Sequence, residues 1–144
     1  MRLTDQQIAE FNDLGYLIMP DYFSEVEIAV LRSEAAKIYA DDRKEVWREL
    51  TGAPRTAFAA HTYNEAFGVL GAHPRLIDPV SQFFGEPVYM HQFKVNAKAP
   101  FDGEVWQWHQ DYGTWARDDG MPEARAMNIA LFLDEVMAIN GPLM

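Results

Sequence analysis

The run Trp106-Gln107-Trp108-His109-Gln110-Asp111 sets an imidazole and a carboxylate two residues apart. Successive side chains of a β-strand point to opposite faces, so a strand here puts Gln107, His109 and Asp111 on one face and Trp106, Trp108 and Gln110 on the other. His109 and Asp111 would then be two arms of a 2-His-1-carboxylate facial triad. That ligand set fills one face of an octahedral metal and leaves three positions for co-substrate and O2. His-x-Asp alone is weak: 4 His and 11 Asp in 144 residues give about 0.3 chance occurrences. Context has to decide.

The context lies just upstream. Gln92, Lys94, Asn96 and Lys98 alternate with Phe93, Val95 and Ala97, so one strand face is polar and the other packs. A polar face ordinarily meets solvent, but beside a His-x-Asp strand it fits the lining of a polar cavity. His91 falls on the opposite face from Gln92 and reads as a packed or hydrogen-bonded residue rather than a ligand. His61 and His73 fall in loop or cap positions. Downstream, Tyr112, Thr114, Arg117, Asp118, Asp119 and Gly120 read as a loop over the pocket mouth. Trp115 either stacks on substrate or plugs an apolar layer.

The rest of the chain must position these groups. With 144 residues, 49% hydrophobic and 13% aromatic, it has enough apolar surface for one domain with a core. The net charge of −10, unbroken by any basic cluster, argues against nucleic acid and anionic membranes as partners. Without cysteine, any metal must be held by His, Asp or Glu, which leaves iron, manganese and zinc. The N-terminus has no signal-peptide or transit composition, and no apolar run is long enough to span a bilayer, so the expectation is a cytoplasmic protein. Oligomeric state is not legible.

Thr4 with Gln7, and Ser24 with Glu27, read as capping boxes. The first opens a short helix on Ile8, Phe11 and Leu14 that stops at Gly15, and the second a helix on Ile28, Leu31, Ala35 and Ile38. Residues 16–19 suggest a brief strand, and 41–55 little regular structure. Pro74 begins a third helix, carrying Leu76, Ile77, Val80 and Phe83 to Gly85, with Pro79 as a possible kink. From residue 88 the period changes to two, with strands predicted at 88–98, 105–111 and 126–133. Helices followed by strands point to an α+β or mainly β core: helical support over 1–87 and the start of a sheet domain over 88–144.

Three segments carry a family resemblance: VYMHQFKVNAKAPFDG, WQWHQDYGTWARDDGMP and NGPLM. Across 88–144 the chain resembles the phytanoyl-CoA dioxygenase family, in particular its ectoine hydroxylase-like branch. The Gly15-Tyr16 junction and Asp21-Tyr22-Phe23-Ser24 are similar to the family's N-terminus. The resemblance implies a double-stranded β-helix (jelly-roll, cupin-like) fold backed by helices. It also implies Fe(II) held by His109 and Asp111, with 2-oxoglutarate and O2 as co-substrates. Lys98, with Asn96 beside it, would contact 2-oxoglutarate, and Gln92, Thr114 and Trp115 would contact substrate. A flexible ammonium suits a carboxylate in a partly desolvated pocket, and an amide can both donate to and accept from a polar substrate. The family's second iron His and its 2-oxoglutarate Arg follow an NGPLM-like segment, so the expectation is that both lie beyond Met144.

The implied activity is hydroxylation of a small polar substrate, an amino acid or an ectoine-like zwitterion, with release of succinate and CO2. Asp111 argues against a halogenase, in which Gly or Ala takes the place of the carboxylate. Two alternatives stay open: an acyl-CoA hydroxylase, and a catalytically incomplete jelly-roll module that binds metal or serves structure.

Overall fold

The computed structural model describes residues 2–102 and 105–143. Met144, which ends the NGPLM segment, lies outside them. Thr4 and Ser24 each accept from the third backbone N–H of the helix they open, while Gln7 and Glu27 reach back to the cap N–H. These reciprocal bonds satisfy donors that a helix start otherwise leaves unpaired, and they fix the beginnings of α1 (Asp5–Leu14) and α2 (Glu25–Ala40). Gly15 ends α1 at φ +80°, a left-handed geometry that glycine adopts without steric cost.

The chain then forms β1 (Val46–Arg48), β2 (Pro54–Phe58), a 3-10 turn at Ala60–Thr62, α3 (Glu65–Gly71), α4 (Pro74–Phe84), β3 (Lys94–Asn96) and α5 (Asp111–Asp118). The strands make one antiparallel sheet in the order β1-β2-β3, with Thr56 opposite Asn96 and Ala57 opposite Val95. α2 turns Leu31, Ala35 and Ile38, spaced four and three residues apart, onto a core that includes Ala57, Phe67, Leu70 and Val95. Through β3 and its flanks the predicted alternation of burial appears: Gln92, Lys94, Asn96 and Lys98 are exposed, Val95 is buried, and Phe93 and Ala97 are half-buried.

Several expectations need correction. Residues 16–19 form no strand. Residues 41–55, expected to be irregular, contain β1 and the start of β2, and α3 is a helix that the sequence pattern does not announce. Of the strand expected over 88–98, only Lys94–Asn96 pairs. Residues 105–110 and 126–133 form no strand, and α5 occupies the stretch expected to be a loop. The physical reason is that a strand exists only as half of a ladder. Apolar alternation marks a face that can pack, but pairing decides whether a strand forms. The alternation at 131–134 persists without a ladder: Leu131 and Leu133 pack on the core, while Phe132 and Asp134 are exposed. Among the described residues, therefore, helices and a small antiparallel sheet are present and a complete jelly-roll is not. That sheet also joins 1–87 to 88–144, since β2 pairs with β3. No helix among the described residues is long and apolar enough to cross a membrane.

Arg75 ties α4 to the entry of α2. Its Nη1 donates to the Tyr22 carbonyl at 2.9 Å, its guanidinium lies 4.1 Å from the Phe23 ring centroid, and it pairs with Glu27. Hydrogen bonds from Arg75 and then from Ser24 hold the Glu27 carboxyl down at about 2, against an ordinary 4.5. A carboxyl depressed in the folded state contributes stability above its unfolded pKa and loses it as pH falls through the folded one. Between pH 4.5 and about 2, the unfolding temperature should therefore fall more steeply for the parent protein than for Glu27→Gln. Thermal scans of both across that range would settle it; parallel curves would mean that the pair contributes no pH-dependent stability.

Candidate metal centre

His109 and Asp111 do come together, though not on a strand. Asp111 is the first residue of α5, where a carboxylate is favoured by the helix dipole, and His109 precedes it by two. His109 Nε2 stands 3.2 Å from Asp111 Oδ1. The other ring nitrogen, Nδ1, lies 2.7 Å from the Gln107 carbonyl, which can only accept, so Nδ1 carries the proton of that bond. In neutral His109, Nε2 is then a bare lone pair facing a carboxylate oxygen. Two acceptors that close repel unless a cation lies between them.

A proton on Nε2 would serve, and so would a metal. Ligands at about 2.1 Å on adjacent octahedral positions are separated by about 3 Å, which matches the 3.2 Å observed. A ligating histidine typically donates its other ring N–H to a carbonyl or carboxylate, as His109 does to Gln107. The second Asp111 oxygen, Oδ2, accepts from Asn128 Nδ2 at 2.8 Å. The pair therefore fits Fe(II) as two of three protein ligands. Among the described residues no group of three His, Asp or Glu side chains converges.

The cleft beside the pair is lined by Asp111, Tyr112, Trp115 and Asn128, with Ala124 and Ala126. Helical spacing puts Thr114 and Trp115 three and four residues after Asp111, on its face of α5. Thr114 is exposed and Trp115 is buried at 9% exposure. His91 meets the Trp115 ring edge-on, with centroids 5.1 Å apart, and its Nε2 lies 3.1 Å from Asp119 Oδ2. His91 is thus a packing partner of Trp115, and Trp115 serves both as a plug and as a wall of the cleft.

Asn96 of β3 and the flanking Gln92 and Lys98 lie less centrally. Asn96 Oδ1 accepts from the buried Thr56 hydroxyl at 3.0 Å, which ties this side chain to the β2–β3 pairing. Gln92 and Lys98 are exposed. Lys98 lies against the 140–143 segment so closely that a Cβ at Gly141 would fall 2.5 Å from its Cδ. Two separate sequence signals thus meet in space. Asn128 is a site residue that sequence reasoning missed. The available signal was its standing as the one polar residue in the apolar run AMNIALFL, 126–133. A larger, mainly apolar groove between α2 and α3, lined by Val26, Val30, Val69 and Leu70, is separate from this chemistry.

Residues 11–144 match the phytanoyl-CoA dioxygenase (PhyH) family. The chain is 39% identical over 130 residues to an L-proline trans-4-hydroxylase of Streptomyces griseoviridis, covering 90% of this chain and 48% of the relative. It is 34% identical over 147 aligned residues to an ectoine dioxygenase of Bordetella bronchiseptica, covering 99% of this chain and 48% of the relative. Its fold is similar to the crystal structure of EctD from S. alaskensis with 2-oxoglutarate and 5-hydroxyectoine. There the TM-score is 0.80 at 34% identity, over 85% of this chain and 45% of that one. The same enzyme with bound Fe gives a TM-score of 0.79 over 85% of this chain and 46% of that one, also at 34% identity. The chain spans about half the length of the curated relatives it matches.

Proposed function

The chain belongs to the phytanoyl-CoA dioxygenase family, and from that premise we propose that it supplies the iron-binding half of an Fe(II)- and 2-oxoglutarate-dependent hydroxylase. The observation that carries this reading is the pair His109 Nε2 and Asp111 Oδ1, facing each other 3.2 Å apart, with His109 Nδ1 bonded to the Gln107 carbonyl. We assign the remaining ligand and the grip on the far carboxylate of 2-oxoglutarate to the part of the family domain that this chain does not span. On this reading the whole domain is a jelly-roll, completed by that other part.

Bound Fe(II) would supply O2 activation coupled to oxidative decarboxylation of 2-oxoglutarate to succinate and CO2. This chain's residues bind, orient and exclude. His109 and Asp111 hold the metal from one side. Lys98, two residues past Asn96 and exposed like it, presents a cation to the co-substrate's carboxylate. Gln92 orients a polar substrate, Thr114 adds a hydroxyl, and Trp115 keeps water from one wall of the cleft. A small zwitterion, amino-acid-like or ectoine-like, suits these groups and the names of the relatives. The −10 net charge disfavours the phosphates of an acyl-CoA. We place the enzyme in the cytoplasm.

Succinate release by the full-length protein, supplied with Fe(II), 2-oxoglutarate and either L-proline or ectoine, tests the proposal. Succinate should appear in step with hydroxylated product and stop when iron is chelated. Lys98→Ala should raise the 2-oxoglutarate requirement about tenfold, the size of one lost charge-assisted hydrogen bond, while Gln92→Ala should raise the KM for substrate. Metal binding without succinate for either substrate would point instead to the module with no catalytic role.

A further inference from the structure

Asp111 has two carboxylate oxygens with different neighbours. Oδ1 faces His109 Nε2 at 3.2 Å, and Oδ2 accepts from Asn128 Nδ2 at 2.8 Å. Asn128 comes from the 126–133 segment, seventeen residues further along the chain, and lines the same cleft as Asp111. Its neighbours in sequence, Ala126, Met127, Ile129 and Ala130, have no hydrogen-bonding side chain. The contact is therefore specific to this position in the run.

We infer that Asn128 is a positioning residue that engages one oxygen of Asp111 so that only the other can reach a metal. The inference rests on the proposed iron site. A carboxylate with both oxygens free can chelate one ion through both, taking a second coordination position. A facial triad depends on each protein ligand taking one position, because the open ones must receive co-substrate and O2. An amide N–H is suited to this task, since it donates to the carboxylate without adding charge to the site. The Asn128 amide also limits rotation of the carboxylate about its Cβ–Cγ bond, keeping Oδ1 turned towards His109.

The test uses Co(II) as a spectroscopic probe in the full-length protein, comparing the parent with Asn128→Leu, Asn128→Ser and His109→Ala. Asn128→Leu keeps the side-chain size and removes the donor. It should weaken Co(II) binding about 10- to 100-fold, the usual cost of losing a ligand's outer partner. It should also reduce the intensity of the visible d–d band, as Asp111 turns to bind through both oxygens and the coordination number rises. Asn128→Ser restores a donor hydroxyl and should recover part of both signals. Far-UV circular dichroism and the unfolding temperature identify a variant that has simply unfolded. If Asn128→Leu does so, the comparison rests on Asn128→Ser, which should lie between the parent and His109→Ala. Parent-like affinity and spectrum in the folded Asn128 variant, with binding lost in His109→Ala, would overturn this inference and leave the iron site standing. Parent-like binding in His109→Ala would remove the iron site itself.

Discussion

Alanine at His109 or at Asp111 is expected to reduce iron-dependent 2-oxoglutarate turnover in the full-length protein to background while leaving the fold in place. Each change deletes one of the two atoms that face each other 3.2 Å apart, and with it a proposed metal ligand. The affinity loss should exceed the 10- to 100-fold that an outer-shell deletion typically costs. The stability effect should be small. The His109 side chain is 56% exposed and Asp111 lies at the start of a short helix, so about 0.5–1 kcal/mol is the expected range. Anaerobic Fe(II) titration, succinate release and urea unfolding on the same preparations separate the two effects. Normal succinate release in either variant would remove both residues from the metal centre. Lost activity with a collapsed fold would mean that the pair is structural.

The second large effect belongs to the core. Phe67 of α3 is 2% exposed and meets Phe93 edge to face, with centroids 5.9 Å apart. Phe67→Ala removes this ring contact between α3 and the segment leading into β3, leaving a cavity in the core. Such changes cost about 3–5 kcal/mol, a large share of the 5–15 kcal/mol that holds a typical domain together. Urea unfolding should show a midpoint shifted by that amount at unchanged slope, and Phe67→Leu should recover much of it. A loss below about 1 kcal/mol would mean that α3 is not anchored through this ring. Because Phe93 immediately precedes β3, the same substitution should also loosen that strand and the segment after it, which bears the proposed co-substrate lysine.

The groups with chemistry are legible in the sequence because their signals are local. Capping boxes at Thr4 and Ser24 satisfy their own helix, so four residues at a time suffice to read them. The alternation around Val95 shows in the sequence because a strand's two faces are fixed by its backbone alone. His-x-Asp stands out by residue type and spacing, though the structure changes the reason for it. A strand would bring the two side chains to one face, whereas it is the turn into α5 that brings them together.

Other features depend on partners distant in sequence, and no local pattern contains them. Whether 105–110 and 126–133 become strands depends on a neighbouring strand, which their own residues do not specify. β1 and the start of β2 are hidden in the charged stretch 41–55 because their pairing, with each other and with β3, is what makes them strands. The hydrogen bond from Asn128 to Asp111 spans seventeen residues, and the meeting of Lys98 with Gly141 spans more than twice that. Sequence by itself determined the starts of α1, α2 and α4 and the polar strand face, fixed by short-range backbone geometry, and it singled out the candidate metal-ligand types. Tertiary structure decided which oxygen of Asp111 is free, what wall Trp115 makes and which residue holds the carboxylate in place, because each of these is a contact between segments that only folding brings together.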